Sequence, residues 1–120
     1  NIREIPEGLP IREMATAVIH MVTDSIDAFV KQDGKIARDV IEYDDVVDTF
    51  FNTTKAALVE LLQNGGIGSE AMVDLLMIAK YYERIGDHAV NIAKWVLFSL
   101  TGNLEFESAY FEEGGHTSEK

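Results

Sequence analysis

The sequence has no cysteine, which excludes a disulfide framework, a thiolate metal site and a cysteine nucleophile, and agrees with a reducing compartment. Positive charge is scarce: 10 Lys and Arg stand against 21 Asp and Glu, a formal net charge of −11 over 120 residues. Nothing here could neutralise phosphates in a row, so nucleic acid is excluded as a partner, whereas cations and basic protein surfaces suit an acidic chain. No apolar run approaches the roughly 18–20 residues that span a bilayer, and nothing at the N-terminus reads as a signal peptide, so any membrane link is expected to run through a partner. Proline occurs twice, at Pro6 and Pro10, ahead of the first periodic segment. Sustained period-two alternation is missing, which removes strands from the expected fold.

What is present is 47 % hydrophobic residues, enough for the core of one domain. The chain opens Asn1-Ile2-Arg3 with no initiator methionine, which points to a fragment or a processed product. Residues 1–10 are expected to be a linker remnant, with Pro10 as the first helical residue. From Ile11 to about Gln32, Ala15, Ile19, Val22, Ile26 and Phe29 alternate in steps of four and three, a helical seam expected to face partner helices. Asp33-Gly34 then turns the chain, the glycine acting as the C-terminal break. A second helix from Lys35 to about Gln63 places Ile36, Val40, Val47, Phe51, Thr54, Leu58 and Leu61/Leu62 on one arc.

The glycine-rich stop at Asn64–Gly68 leads to Ser69, an expected N-cap. The third helix, from about Glu70 to Thr101, would bury Leu75, Ile78, Ala79, Tyr82, Ile85, Ala89, Ile92, Ala93, Val96 and Leu100. Three long helices with short turns predict an all-α fold, an antiparallel up-down-up three-helix bundle over 11–102. Residues 103–120 form an acidic tail that is expected to fray, with Phe106, Tyr110 and Phe111 available to dock back.

The third helix carries Glu83, Asp87 and Asn91 at i, i+4 and i+8, three oxygen-bearing side chains in one stripe about a quarter-turn from the apolar arc. The second helix carries Asp44 and Asp48 with the same spacing and rotational sense. In an antiparallel pair the two stripes face each other, and Asp44, Asp48, Glu83 and Asp87 form a thiol-free oxygen cluster suited to Mg²⁺, Mn²⁺, Fe or Ca²⁺, with Zn²⁺ admissible. Against this stands chance: with 21 acidic residues, several i, i+4 acidic pairs arise on solvated faces. Asp27, Asp39 and Asp45 read as such solvated charges, as does Asp24, which could also lean into the cluster. Gly86 lies in the apolar arc, where a glycine costs about 1 kcal/mol against alanine, and points to a close helix approach. Met77, Tyr81, His88 and Trp95 make a second apolar strip that three helices leave exposed, to be covered by another bundle or a twin subunit.

The run Glu83-Arg84-Ile85-Gly86-Asp87-His88, followed by Asn91-Ile92-Ala93, resembles the signature of the PhoU family, accessory proteins of phosphate signalling. Ile26-Asp27-Ala28-Phe29, Asp44-Asp45-Val46-Val47-Asp48 and Leu100-Thr101-Gly102 extend the likeness to the family's second repeat, over about residues 9 to 104. The resemblance implies two three-helix repeats whose paired Glu/Asp-x-x-x-Asp motifs bind multinuclear metal clusters. That role falls here on Asp44, Asp48, Glu83 and Asp87, with Asn91 as a supporting hydrogen-bond partner.

The resemblance further implies a non-catalytic regulator that restrains the phosphate ABC transporter through its ATPase subunit and informs a membrane sensor histidine kinase. Such a protein is cytoplasmic and peripherally membrane-associated through partners. Its exposed strip would take the missing first PhoU repeat or a second copy of the chain, giving a homo-oligomer. An accessory of another phosphate transporter is the nearest alternative. A di-metal carboxylate oxidoreductase wants Glu-x-x-His pairs, yet Glu83 is followed by Gly86, Glu42 by Asp45 and Glu13 by Thr16. A purely structural helical oligomer would bind no metal.

Overall fold

A computed structural model describes residues 6 and 8 to 101. It contains three helices and, among the described residues, no strand: α1 spans Ile11–Lys31, α2 Gly34–Gln63 and α3 Ser69–Thr101. Each helix packs on the other two, and the long axis of 54 Å matches the roughly 50 Å expected of a 33-residue helix at 1.5 Å per residue. The predicted three-helix bundle is what forms. The fraying expected of 103–120, and the docking of Phe106, Tyr110 and Phe111, lie outside the described residues.

The connections differ from expectation at the first corner. Gln32, not a glycine, takes the left-handed conformation that ends α1, at φ 55°. The Asp33 amide donates back to the Ala28 carbonyl at 3.0 Å, and the Gln32 side-chain amide donates to the Phe29 carbonyl at 2.7 Å. Gly34 is already helical. Asp33 is the N-cap of α2, its carboxylate accepting from the Lys35 and Ile36 amides at 2.9 and 3.2 Å. Pro10 likewise precedes α1 instead of opening it.

The second corner follows the sequence pattern. Gly65 sits at φ +77°, the Gly66 amide donates to Leu61 and the Gly65 amide to Leu62, the paired bonds of a Schellman stop.

The α1 seam needs correction. Ile11, Met14, Ala17, Val18, Met21, Ser25 and Ala28 are the buried residues, while Ile19, Ile26 and Phe29 are 51 to 65 % exposed. Both stripes repeat in steps of three and four, so periodicity alone does not choose between them. The bundle interior takes the stripe with small residues, Ala17, Ser25 and Ala28, because three helices crowd around one axis. On α3, Ile85, Ile92 and Leu100 also turn outward, and Gly86, Val90, Lys94 and Leu97 join the inner face. On α2, Val40, Val47, Thr54 and Leu58 are buried as expected, while Leu62 is exposed.

Gly86 marks the level at which the three helices meet, buried against Val18 and Met21 of α1 and Val47 of α2. A Cβ built there would lie 3.6 Å from the Met21 sulfur and 3.6 Å from Val18, an ordinary van der Waals distance. The close approach expected from this glycine is therefore roomy enough for a methyl group. Gly34 lies against Leu97 and Leu100, so α1 and α3 run parallel and in step.

That alignment sets the outward apolar residues of α1, Ile19, Ile26, Phe29 and Val30, on the same flank as Tyr81, Ile85, Ile92 and Trp95 of α3. Among the described residues no helix is long and apolar enough to cross a membrane.

Candidate functional site

The groove between α2 and α3 lies beside the Gly86 level. Antiparallel pairing of the two helices brings one turn of α2, Asp44 to Asp48, against one turn of α3, Glu83 to Asp87. All four carboxylates expected from the sequence feel one another there. Burial pushes the Asp44 carboxyl up to about 6 from 3.8, with the charges of Asp48, Asp87, Asp45 and Glu83 adding in that order. Asp48 is raised too, first by burial and then by the charge of Glu83 and a side-chain hydrogen bond with it.

The sharpest local observation is an orphan. Asp44 Oδ1 is buried without a hydrogen-bond partner. An unmatched buried acceptor costs about 1–3 kcal/mol, and more when charged, so the oxygen is poised for a donor or an ion. The charges that act on Asp44 are those of carboxylates, Asp48, Asp87, Asp45 and Glu83, a chemistry that suits hard, oxygen-seeking cations. As they stand, no three Asp, Glu or His side chains among the described residues converge tightly enough to hold one ion. Loading the groove therefore requires rotamer changes in at least some of the four.

Two neighbours of the cluster were not singled out by sequence. Lys80, one turn before Glu83, places its ammonium 2.8 Å from Glu83 Oε1 and 5.1 Å from the Phe51 ring centroid. Lys55, one turn after Phe51 on α2, sets its ammonium 5.9 Å from the same centroid. The signal for Lys80 was its i, i+3 relation to Glu83. Asp45, read as a solvated charge, is exposed, yet its charge reaches Asp44. Asp24 does not lean in. It pairs along its own helix with His20 at 3.0 Å, and the His20 ring packs on Tyr43 of α2 at 5.4 Å. Asn91 and His88 are exposed, and His88 joins the outward strip with Met77, Tyr81 and Trp95 as expected.

Fold and site together define a class: a helical bundle with a carboxylate groove on one side and an uncovered apolar flank on another. The model of the PhoU domain matches residues 11–96, and the chain belongs to the PhoU family. A phosphate-specific transport system accessory protein PhoU homolog from Zymomonas mobilis is 39 % identical over 102 residues, 85 % of this chain and 42 % of the relative. PhoU homolog 1 of Thermotoga maritima is 32 % identical over 77 % of this chain and 40 % of its own length. The homolog from Pseudomonas aeruginosa is 32 % identical over 82 % of this chain and 41 % of its own. The chain thus spans about two fifths of the curated relatives it matches. No solved structure matches it significantly.

Proposed function

We propose that the chain is the metal-binding repeat of a regulatory accessory protein in phosphate uptake and phosphate-starvation signalling. The observation that carries the metal-binding part is the orphaned Asp44 Oδ1, on a carboxyl that feels the charges of Asp48, Glu83 and Asp87. A di- or trivalent ion, Fe, Mn, Mg or Zn, would be held by Asp44, Asp48, Glu83 and Asp87. It would relieve the mutual repulsion of the four. The role is non-catalytic.

The phosphate assignment rests on the relatives, each named for the phosphate-specific transport system. In this reading the protein acts in the cytoplasm, reaching the membrane through partners. The metal-loaded face docks on the ATPase subunit of the phosphate ABC transporter and passes phosphate status to a sensor histidine kinase. The uncovered flank of α1 and α3 packs against the other repeat of a longer chain or against a second copy. Sedimentation of the isolated chain as a monomer would remove the second copy as its cover.

Docking is tested by immobilising the chain with Mn²⁺ and passing the ATPase subunit over it. Retention that is lost in chelator supports the adaptor role. Failure to retain the subunit under either condition contradicts it.

A further inference from the structure

We infer that Lys80 is a tethered counter-ion of the carboxylate groove, a built-in competitor that occupies the Glu83 end of the cluster and must withdraw before a metal ion is held there. The inference rests on the metal-binding reading of the groove and adds its regulation. Three contacts carry it. The Lys80 ammonium sits 2.8 Å from Glu83 Oε1, and Glu83 is only 18 % exposed while Lys80 is 57 % exposed. The cation therefore enters from solvent onto a carboxylate that is mostly enclosed. Glu83 in turn acts on Asp48, whose carboxyl its charge raises, so Lys80 neutralises a member of the cluster and not an isolated surface acid.

The third contact is the Phe51 ring, 5.1 Å from the same ammonium. A phenyl face attracts a cation without neutralising it, and gives Lys80 a place to rest within reach of the groove once Glu83 is taken. Lys55 approaches the same ring from α2 at 5.9 Å. When Lys80 moves off Glu83, its charge joins that of Lys55 beside the groove. Metal occupancy thereby exchanges a neutralised acidic rim for one carrying two lysine charges next to a bound ion. This alters the electrostatic face offered to a partner while the helices stay in place.

The two lysines also provide the control. Both lie near Phe51, and each contributes one positive charge, but the ion pair with Glu83 belongs to Lys80. A general field effect would make Lys80→Gln and Lys55→Gln equivalent. Competition for Glu83 would not.

The experiment is a calorimetric Mn²⁺ titration of the full chain and of Lys80→Gln, Lys80→Arg, Lys55→Gln and Asp44→Asn/Asp87→Asn, with circular dichroism confirming equal helicity. Lys80→Gln should bind Mn²⁺ roughly three- to tenfold more tightly, the range set by losing a partly exposed ion pair and its repulsion of the incoming dication. Lys80→Arg should stay near wild type, and Lys55→Gln should change affinity by less than about twofold. Equal effects of Lys80→Gln and Lys55→Gln, or weaker binding by Lys80→Gln, would overturn the inference while leaving the metal site intact. If wild type and Asp44→Asn/Asp87→Asn take up Mn²⁺ alike, the groove itself is not the site, and the inference falls with it.

Discussion

At the scale of single residues, Asp44 concentrates the tension in the molecule. Its carboxyl is raised from 3.8 to about 6, so the native state holds a proton there more tightly than the unfolded chain does. Over that interval the unfolded state binds fewer protons, and stability falls as pH rises through it. In chelator, the melting temperature of the wild type should therefore drop between about pH 4.5 and about pH 7 more than that of Asp44→Asn, which should melt a few degrees higher at the upper end. Parallel profiles would mean that Asp44 is not the group under strain. Gly86 makes the opposite kind of prediction. Its surroundings leave a Cβ at least 3.6 Å from the nearest atoms of α1 and α2. Gly86→Ala should then stabilise the chain by about 0.5–1 kcal/mol in urea unfolding, the helix-propensity gain with no packing loss. A loss of similar size would show that the three helices need the space the glycine leaves. The acidic cluster was legible in the sequence because i, i+4 spacing fixes a stripe whatever the tertiary context. Lys80 was not, because an i, i+3 lysine is common beside any helical glutamate.

At the scale of elements, helix number and approximate extent were legible, and helix faces were only partly so. On α1 the expected seam of Ala15, Ile19, Val22, Ile26 and Phe29 is as regular as the buried one, and its larger side chains made it the more conspicuous. The choice between them depends on how closely the axes approach, which tertiary packing decides. The α1–α2 corner shows the same limit at shorter range. Asp33-Gly34 reads as a turn from composition, but Asp33 is the N-cap of α2 and Gln32 carries the left-handed residue. Because two α2 amides depend on its carboxylate, Asp33→Ala should cost about 1 kcal/mol in denaturant unfolding without shifting helix content. An unchanged midpoint would indicate that water satisfies those amides equally well.

At the scale of the whole molecule, two sides of the bundle make different demands. The α2–α3 groove gathers negative charge in a chain already at −11, and the α1–α3 flank exposes Ile19, Ile26, Phe29, Tyr81 and Trp95 to water. An isolated soluble bundle has no use for either feature. A cation for the first and a packed neighbour for the second make both intelligible, and agree with a repeat that spans about two fifths of its relatives. The central claim concerns the groove, and the most direct test is elemental analysis of the chain purified without chelator. It is compared with Asp44→Ala/Glu83→Ala/Asp87→Ala prepared the same way. Wild-type protein should carry bound Fe, Mn, Mg or Zn that the triple variant lacks; equal metal content in the two would contradict the account.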